Sequence, residues 1–104
     1  MMAADNADLQ VWFESEAETG RVLLVPYVRA ARDIHGSYRL RVVRSGPGGH
    51  SRISQSGTID TTAFRPQALS RLTLDVRKED QCRIELTLKQ GDEVLGTYDF
   101  DCPL

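Results

Sequence analysis

Two histidines, two cysteines, an alternating pair of aspartates, one glycine-rich turn and a run of arginines are the residues of this chain whose type and spacing could do chemistry. A histidine base needs a nucleophile or an orienting acid held beside it. His35 and His50 each adjoin a glycine and no such motif accompanies either, so both are expected in turns, exposed and unpaired. Ser51, next to His50, reads as a loop serine. Asp99 and Asp101 imitate a general acid/base pair, but carboxylates on the outer face of an edge strand more often discourage edge-to-edge association. Gly46-Pro47-Gly48-Gly49 has the composition of a phosphate-cradling loop and lacks the following Lys-Ser/Thr and the helix. It reads as a hairpin connection. No catalytic residue is assigned, and the chain is expected not to be an enzyme.

Cys82 and Cys102 stand at the outer ends of two apolar alternations, Cys82-Ile84-Leu86-Leu88 and Gly96-Tyr98-Phe100-Cys102. If these form a hairpin, one register opposes Leu88 to Gly96, Leu86 to Tyr98, Ile84 to Phe100 and Cys82 to Cys102. That register requires an odd loop around Gly91-Asp92-Glu93, or a bulge that Gly91 accommodates. Directly opposed strand residues bring their Cβ atoms within bridging range. A disulfide here would stabilise the domain by about 3 kcal/mol in the chain-entropy model. Two buried free thiols in a reducing compartment are the alternative. A metal site is not expected, because two cysteines with no histidine nearby fall short of four ligands. The bridge is preferred, and it implies an oxidising compartment.

The elements that must position these residues are strands. Leu9, Val11 and Phe13 alternate with polar residues and Trp12, and Val22, Leu24, Pro26 and Val28 share a phase within 21–32. Pro26 lacks a donor and places that strand at an edge or a bulge. Tyr38, Leu40 and Val42 alternate with Arg39 and Arg41; Ile53, Gln55, Gly57 and Ile59 form a more polar strand; Leu72, Leu74 and Val76 form the fifth. With the two cysteine-bearing segments this makes seven strands separated by turn signals, among them Thr19-Gly20, His35-Gly36 and Lys78-Glu79-Asp80. The pattern predicts an all-β, seven-stranded antiparallel immunoglobulin-like β-sandwich. Residues 63–69, containing Pro66, are read as a connection crossing between the sheets.

A chain of 104 residues holds one domain. Residues 1–7 are expected to be a disordered leader of the mature chain and 8–104 the sandwich. Met1-Met2-Ala3-Ala4-Asp5 has neither a basic n-region nor an apolar h-region, and Ala-Ala-Asp resembles the start of a mature exported protein. No apolar run of about 18 residues is present, so no membrane insertion is expected. The net charge of −2 hides an asymmetry: residues 1–20 hold five acids and no base, and residues 21–77 hold ten arginines against three aspartates. An acidic pI near 5.6 argues against a nucleic-acid partner. Arg39, Arg41, Arg44 and Arg52 are expected to gather on one side of the sandwich if the third and fourth strands adjoin. Tyr27 and Trp12 are potential neighbours of that patch, able to help hold acidic or aromatic polypeptide segments. The bland reading of the same arginines is a solvated face with scattered ion pairs.

The segment Tyr38-Arg-Leu-Arg-Val-Val-Arg-Ser-Gly-Pro-Gly-Gly-His-Ser-Arg-Ile-Ser-Gln-Ser-Gly57 resembles the CsgC/CsgH group of the curli system, with CsgH the closer branch. The similarity continues through Gln67-Ala-Leu-Ser-Arg-Leu-Thr-Leu-Asp-Val76 and the 83–91 strand and turn. That resemblance implies a small periplasmic protein that keeps curli amyloid subunits from polymerising, by weak transient contacts and without a cofactor. It implies the major subunit as partner, the minor one as a further candidate, and a monomer. Arg39, Arg41, Arg44 and Arg52 correspond by position to the family's basic surface. The CsgC branch carries Cys-X-Cys where this chain has Gly36-Ser37-Tyr38, so no redox role carries over. The alternative function is a secreted adhesion or structural β-sandwich. It would want a larger exposed apolar patch than Trp12, Val43 and Leu95 offer.

Overall fold

Alternating burial organises the chain into eight strands: β1 (Leu9–Glu18), β2 (Arg21–Ala30), β3 (Ile34–Gly46), β4 (Gly49–Thr61), β5 (Gln67–Ala68), β6 (Leu72–Leu74), β7 (Gln81–Gln90) and β8 (Glu93–Asp101). The structure, a computed structural model, describes residues 8–75, 77 and 79–102. The expected leader 1–7 lies outside them, as do Val76 of the expected fifth strand and Lys78 of the following turn. Among the described residues no helix is long and apolar enough to cross a membrane.

Two antiparallel sheets face each other. One runs β1-β2-β5 with β6 also paired to β2, and the other runs β4-β3-β7-β8. Between them lie Leu24, Val28, Leu40, Ile59, Ile84, Leu86 and Leu88, each at most 1% exposed. The sandwich is thus as expected, but with eight strands instead of seven. The extra one is β5, inside the segment read as a connection. Its two residues pair only with Tyr27 and Val28, too few to leave a period-two signature. β5 and β6 lie end to end along β2 and form one interrupted strand.

Pro26 explains the interruption. β2 is a central strand, contrary to the expected edge or bulge. The Leu69 N–H donates to the Pro26 carbonyl at 2.8 Å, so Pro26 turns its backbone groups toward the β5/β6 side. Its missing N–H falls opposite the gap between β5 at Tyr27 and β6 at Leu24. A proline is tolerated mid-sheet because the neighbouring strand is broken there.

The β7–β8 hairpin adopts the expected register: Ile84 opposes Phe100, Leu86 opposes Tyr98 and Leu88 opposes Gly96, with a bulge between Leu88 and Lys89. Gly91, at φ 61°, turns the loop. Cys82 and Cys102 are joined by a disulfide with Cα atoms 5.3 Å apart, and the Cys102 N–H donates to the Cys82 carbonyl at 3.0 Å.

One expected turn moves. β2 ends at Ala30 and β3 begins at Ile34, so His35-Gly36 lies within a strand and the turn is formed by residues 31–33. Asp33 holds it, its Oδ1 accepting the Ala63 N–H at 2.8 Å. Gly36 serves close approach here, since a Cβ at that position would run into the Lys89 carbonyl beside the bulge.

Candidate functional site

Side chains alternate across a strand, and directly opposed residues of an antiparallel pair share a face. In β3 the buried set is Tyr38, Leu40 and Val42, so Arg39, Arg41 and Val43 project outward. On β4, Ser56 opposes Arg39, Ser54 opposes Arg41 and Arg52 opposes Val43. On β7, Thr87, Glu85 and Arg83 occupy the matching positions. The outer face of this sheet therefore gathers Arg39, Arg41, Arg52 and Arg83 beside hydroxyls from β4. Arg83 is absent from the four arginines expected there, although its place in the alternation of the last hairpin puts it on this face.

The charges on this face are loosely matched. Arg41 lies 3.8 Å from Glu85 and Arg83 lies 3.9 Å from Asp99, all four exposed by more than a third. Such pairs are worth roughly 0–1 kcal/mol, so an acidic partner could replace either. Among the described residues Arg39 and Arg52 make no ion pair. Val43, 37% exposed, is the large apolar side chain amid them. This surface can attract and release polar or acidic chain, and it offers no apolar anchor for a long-lived complex.

Arg44 does not belong to the face. It is in phase with Leu40 and Val42 and stands opposite Cys82, so it turns inward at the end of the sandwich. Its guanidinium donates to the Asp75 carbonyl and lies 4.0 Å from Asp80, whose carboxylate is only 8% exposed. Asp80 also accepts the Arg77 N–H at 3.1 Å. The expected grouping of four arginines is corrected to three of them, with Arg44 a cross-link between the sheets. Trp12 and Tyr27 are likewise not neighbours of the patch. They pack together at 5.5 Å on the β1–β2 hairpin, which belongs to the other sheet.

The remaining candidates separate. His35 is exposed as expected but not unpaired: its Nδ1 lies 2.7 Å from Asp60, its cross-strand partner. His50 is exposed at the start of β4. Asp99 and Asp101 lie on the outward side of edge strand β8. Gly46-Pro47-Gly48-Gly49 makes the tight β3–β4 turn, with Gly49 at φ 120°. No cluster of three or more metal-binding side chains occurs among the described residues. Leu95 packs partly against the core, while Leu23, Val25 and Tyr27 occupy the outer side of β2. The signal for these was present: 22–28 is nearly continuous in apolar residues, as in strands apolar on both faces.

A family model described as CsgH protein matches residues 10–99. The curli assembly protein CsgC of Salmonella typhimurium is 27% identical over 85 residues, which cover 82% of this chain and 79% of that protein. The curli assembly protein CsgC of Escherichia coli strain K12 is 24% identical over 85 residues, covering 82% of this chain and 77% of that protein. The solution structure of R. palustris CsgH superposes with a TM-score of 0.70 at 28% identity, covering 89% of this chain and 91% of that one. The E. coli curli protein CsgC in its SeCys form gives a TM-score of 0.75 over 92% of this chain and 99% of that one; at 22% identity the likeness is one of fold.

Proposed function

The chain belongs to the CsgH protein family, and on that premise we propose that it acts in curli assembly as a periplasmic, chaperone-like inhibitor of curli subunit polymerisation. The observation that carries the mechanism is the outer face of β3 and β4, where Arg39, Arg41 and Arg52 stand among serines with little apolar surface around them. Exposed guanidinium groups steer an acidic or polar disordered chain toward the sheet and let it go again. Contact with a growing β-rich oligomer blocks strand addition at its edge. Neither a catalytic step nor a cofactor is needed, and the chain works as a monomer on the major curli subunit. An extracytoplasmic setting accords with the Cys82–Cys102 bridge.

The test is a thioflavin-T time course of major-subunit polymerisation with the protein at strongly substoichiometric ratio. Wild type is expected to lengthen the lag severalfold, and a variant carrying Arg39→Glu, Arg41→Glu and Arg52→Glu, checked for folding by circular dichroism, is expected to lose the effect. A curve left unchanged by wild type at equal concentration would remove the inhibitor reading. Full activity in the charge-reversed variant would move the site off this face.

A further inference from the structure

A groove opens between β1 and β8, on the side of the sandwich away from β4 and β5. Phe13 and Phe100, partly buried, line its base over the fully buried Leu24 and Ile84, and Trp12 and Asp101 stand at its rim. The two phenylalanine rings meet edge to face at 4.6 Å and hold the sheets together at this point. The space is about 270 Å³. Pockets that enclose a drug-sized ligand hold roughly 300–1,000 Å³. The groove therefore suits one large side chain of a longer segment better than a free small molecule.

Two further features narrow the occupant. Among the described residues β1 and β8 each pair with a strand on one side only, so both are sheet edges of the kind an extended chain can join. The outward positions of β1 beside the groove are acidic: Glu14 and Glu16 are exposed and make no ion pair among the described residues, whereas on β8 Asp101 stands opposite Arg83 and Asp99 is matched by it. An extended segment places alternate side chains on opposite sides, so one laid along β1 with apolar and basic residues in alternation would meet the groove with the first set and Glu14 and Glu16 with the second.

We propose that this groove is a second binding site, which takes an extended cationic segment along β1, inserts one aromatic or large aliphatic side chain against Phe13 and Phe100, and sets lysine or arginine against Glu14 and Glu16. The site is opposite in sign to the arginine face and does not rest on the curli reading.

Trp12 is the sole tryptophan of the chain and lies on the rim, so its emission reports occupancy directly. The probe is a capped peptide alternating lysine with valine around a central phenylalanine. Control peptides carry alanine for the phenylalanine, or glutamate for every lysine. The lysine–phenylalanine peptide is expected to give a saturable change in emission, at least tenfold weaker binding with the alanine peptide, and none with the glutamate peptide. A Glu14→Lys/Glu16→Lys variant is expected to bind about tenfold more weakly. Ser15→Phe, which fills the groove from its edge, is expected to abolish binding. Absence of a saturable signal, an equal response to the glutamate peptide, or undiminished binding in folded Ser15→Phe would each overturn the proposal. If the chain alone is dimeric by light scattering and Ser15→Phe makes it monomeric, the occupant is a second copy and the proposal falls. Should the variants not fold, the peptide series on wild type still decides.

Discussion

Replacing Arg44 should cost the fold far more than replacing any arginine of the outer face. Arg44 is 34% exposed on its side chain, whereas the Asp80 carboxylate it faces is only 8% exposed. Gly46 is part of the same arrangement, because a Cβ there would collide with Asp80. Arg44→Ala removes the cation nearest a buried carboxylate and leaves the Asp75 carbonyl without its guanidinium donor. Breaking a fully buried pair costs about 3–5 kcal/mol. The partial exposure of Arg44 and its 4.0 Å separation from Asp80 scale that down to about 2 kcal/mol, within the range of a lost charge-assisted hydrogen bond. At about 4–8 °C per kcal/mol for a domain near this size, the melting temperature should fall by roughly 8–16 °C. Arg39→Ala, on an exposed face, should stay within about 0.5 kcal/mol of wild type. Thermal and urea unfolding followed by circular dichroism measure both, and a double-mutant cycle with Asp80→Asn should show a coupling of about 1 kcal/mol. If Arg44→Ala melts within about 3 °C of wild type, the inward placement of Arg44 is wrong and it rejoins the outer patch.

Three other perturbations follow from the same contacts. The Tyr38 hydroxyl donates to the Leu69 carbonyl at 2.7 Å between the sheets, so Tyr38→Phe should lose about 1–2 kcal/mol in urea unfolding, and an unchanged midpoint would mean that water satisfies the carbonyl as well. Removing the disulfide with Cys82→Ala/Cys102→Ala should cost about 3 kcal/mol; reductant should lower the wild-type melting temperature and leave the variant's alone. Gly36→Ala must displace the Lys89 backbone beside the β7–β8 bulge, and a loss of about 1–3 kcal/mol is expected in the same unfolding assay. A Gly36→Ala variant as stable as wild type would show that the bulge can relax freely.

The parts of the fold legible in the sequence are those where two independent constraints agree. The β7–β8 register was readable because apolar parity and the cysteine positions select the same pairing, and the bulge absorbs the odd residue in the loop. The arginine patch was half legible. Arg39 and Arg41 share odd parity with the outward positions of β3, but Arg44 has the parity of the buried ones, and nearness in sequence concealed that. Arg52 required the β3–β4 register to be placed at all. The turn at 31–33 contains no glycine or proline, so its signal was weaker than that of His35-Gly36, where glycine serves a tight strand contact instead. The groove was not legible, because it depends on which strands become edges on the same side of the sandwich. That is a property of topology, with no local signature.

The net charge of −2 is the wrong quantity for judging what this molecule attracts. The sandwich extends 42 × 24 × 21 Å, while charges are screened over about 8 Å at physiological ionic strength. A chain approaching the outer face of β3 and β4 therefore responds to Arg39, Arg41 and Arg52 and hardly to the glutamates of β1 on the other sheet. The converse holds at the β1–β8 groove. The glutamates of β1 and the arginines of β3 do not cancel on folding, since the two strands belong to different sheets and turn their charged residues to separate surfaces. A nearly neutral chain can thus present two surfaces of opposite sign that act independently. Raising salt should weaken both, whereas a charge reversal on one should leave binding at the other unchanged.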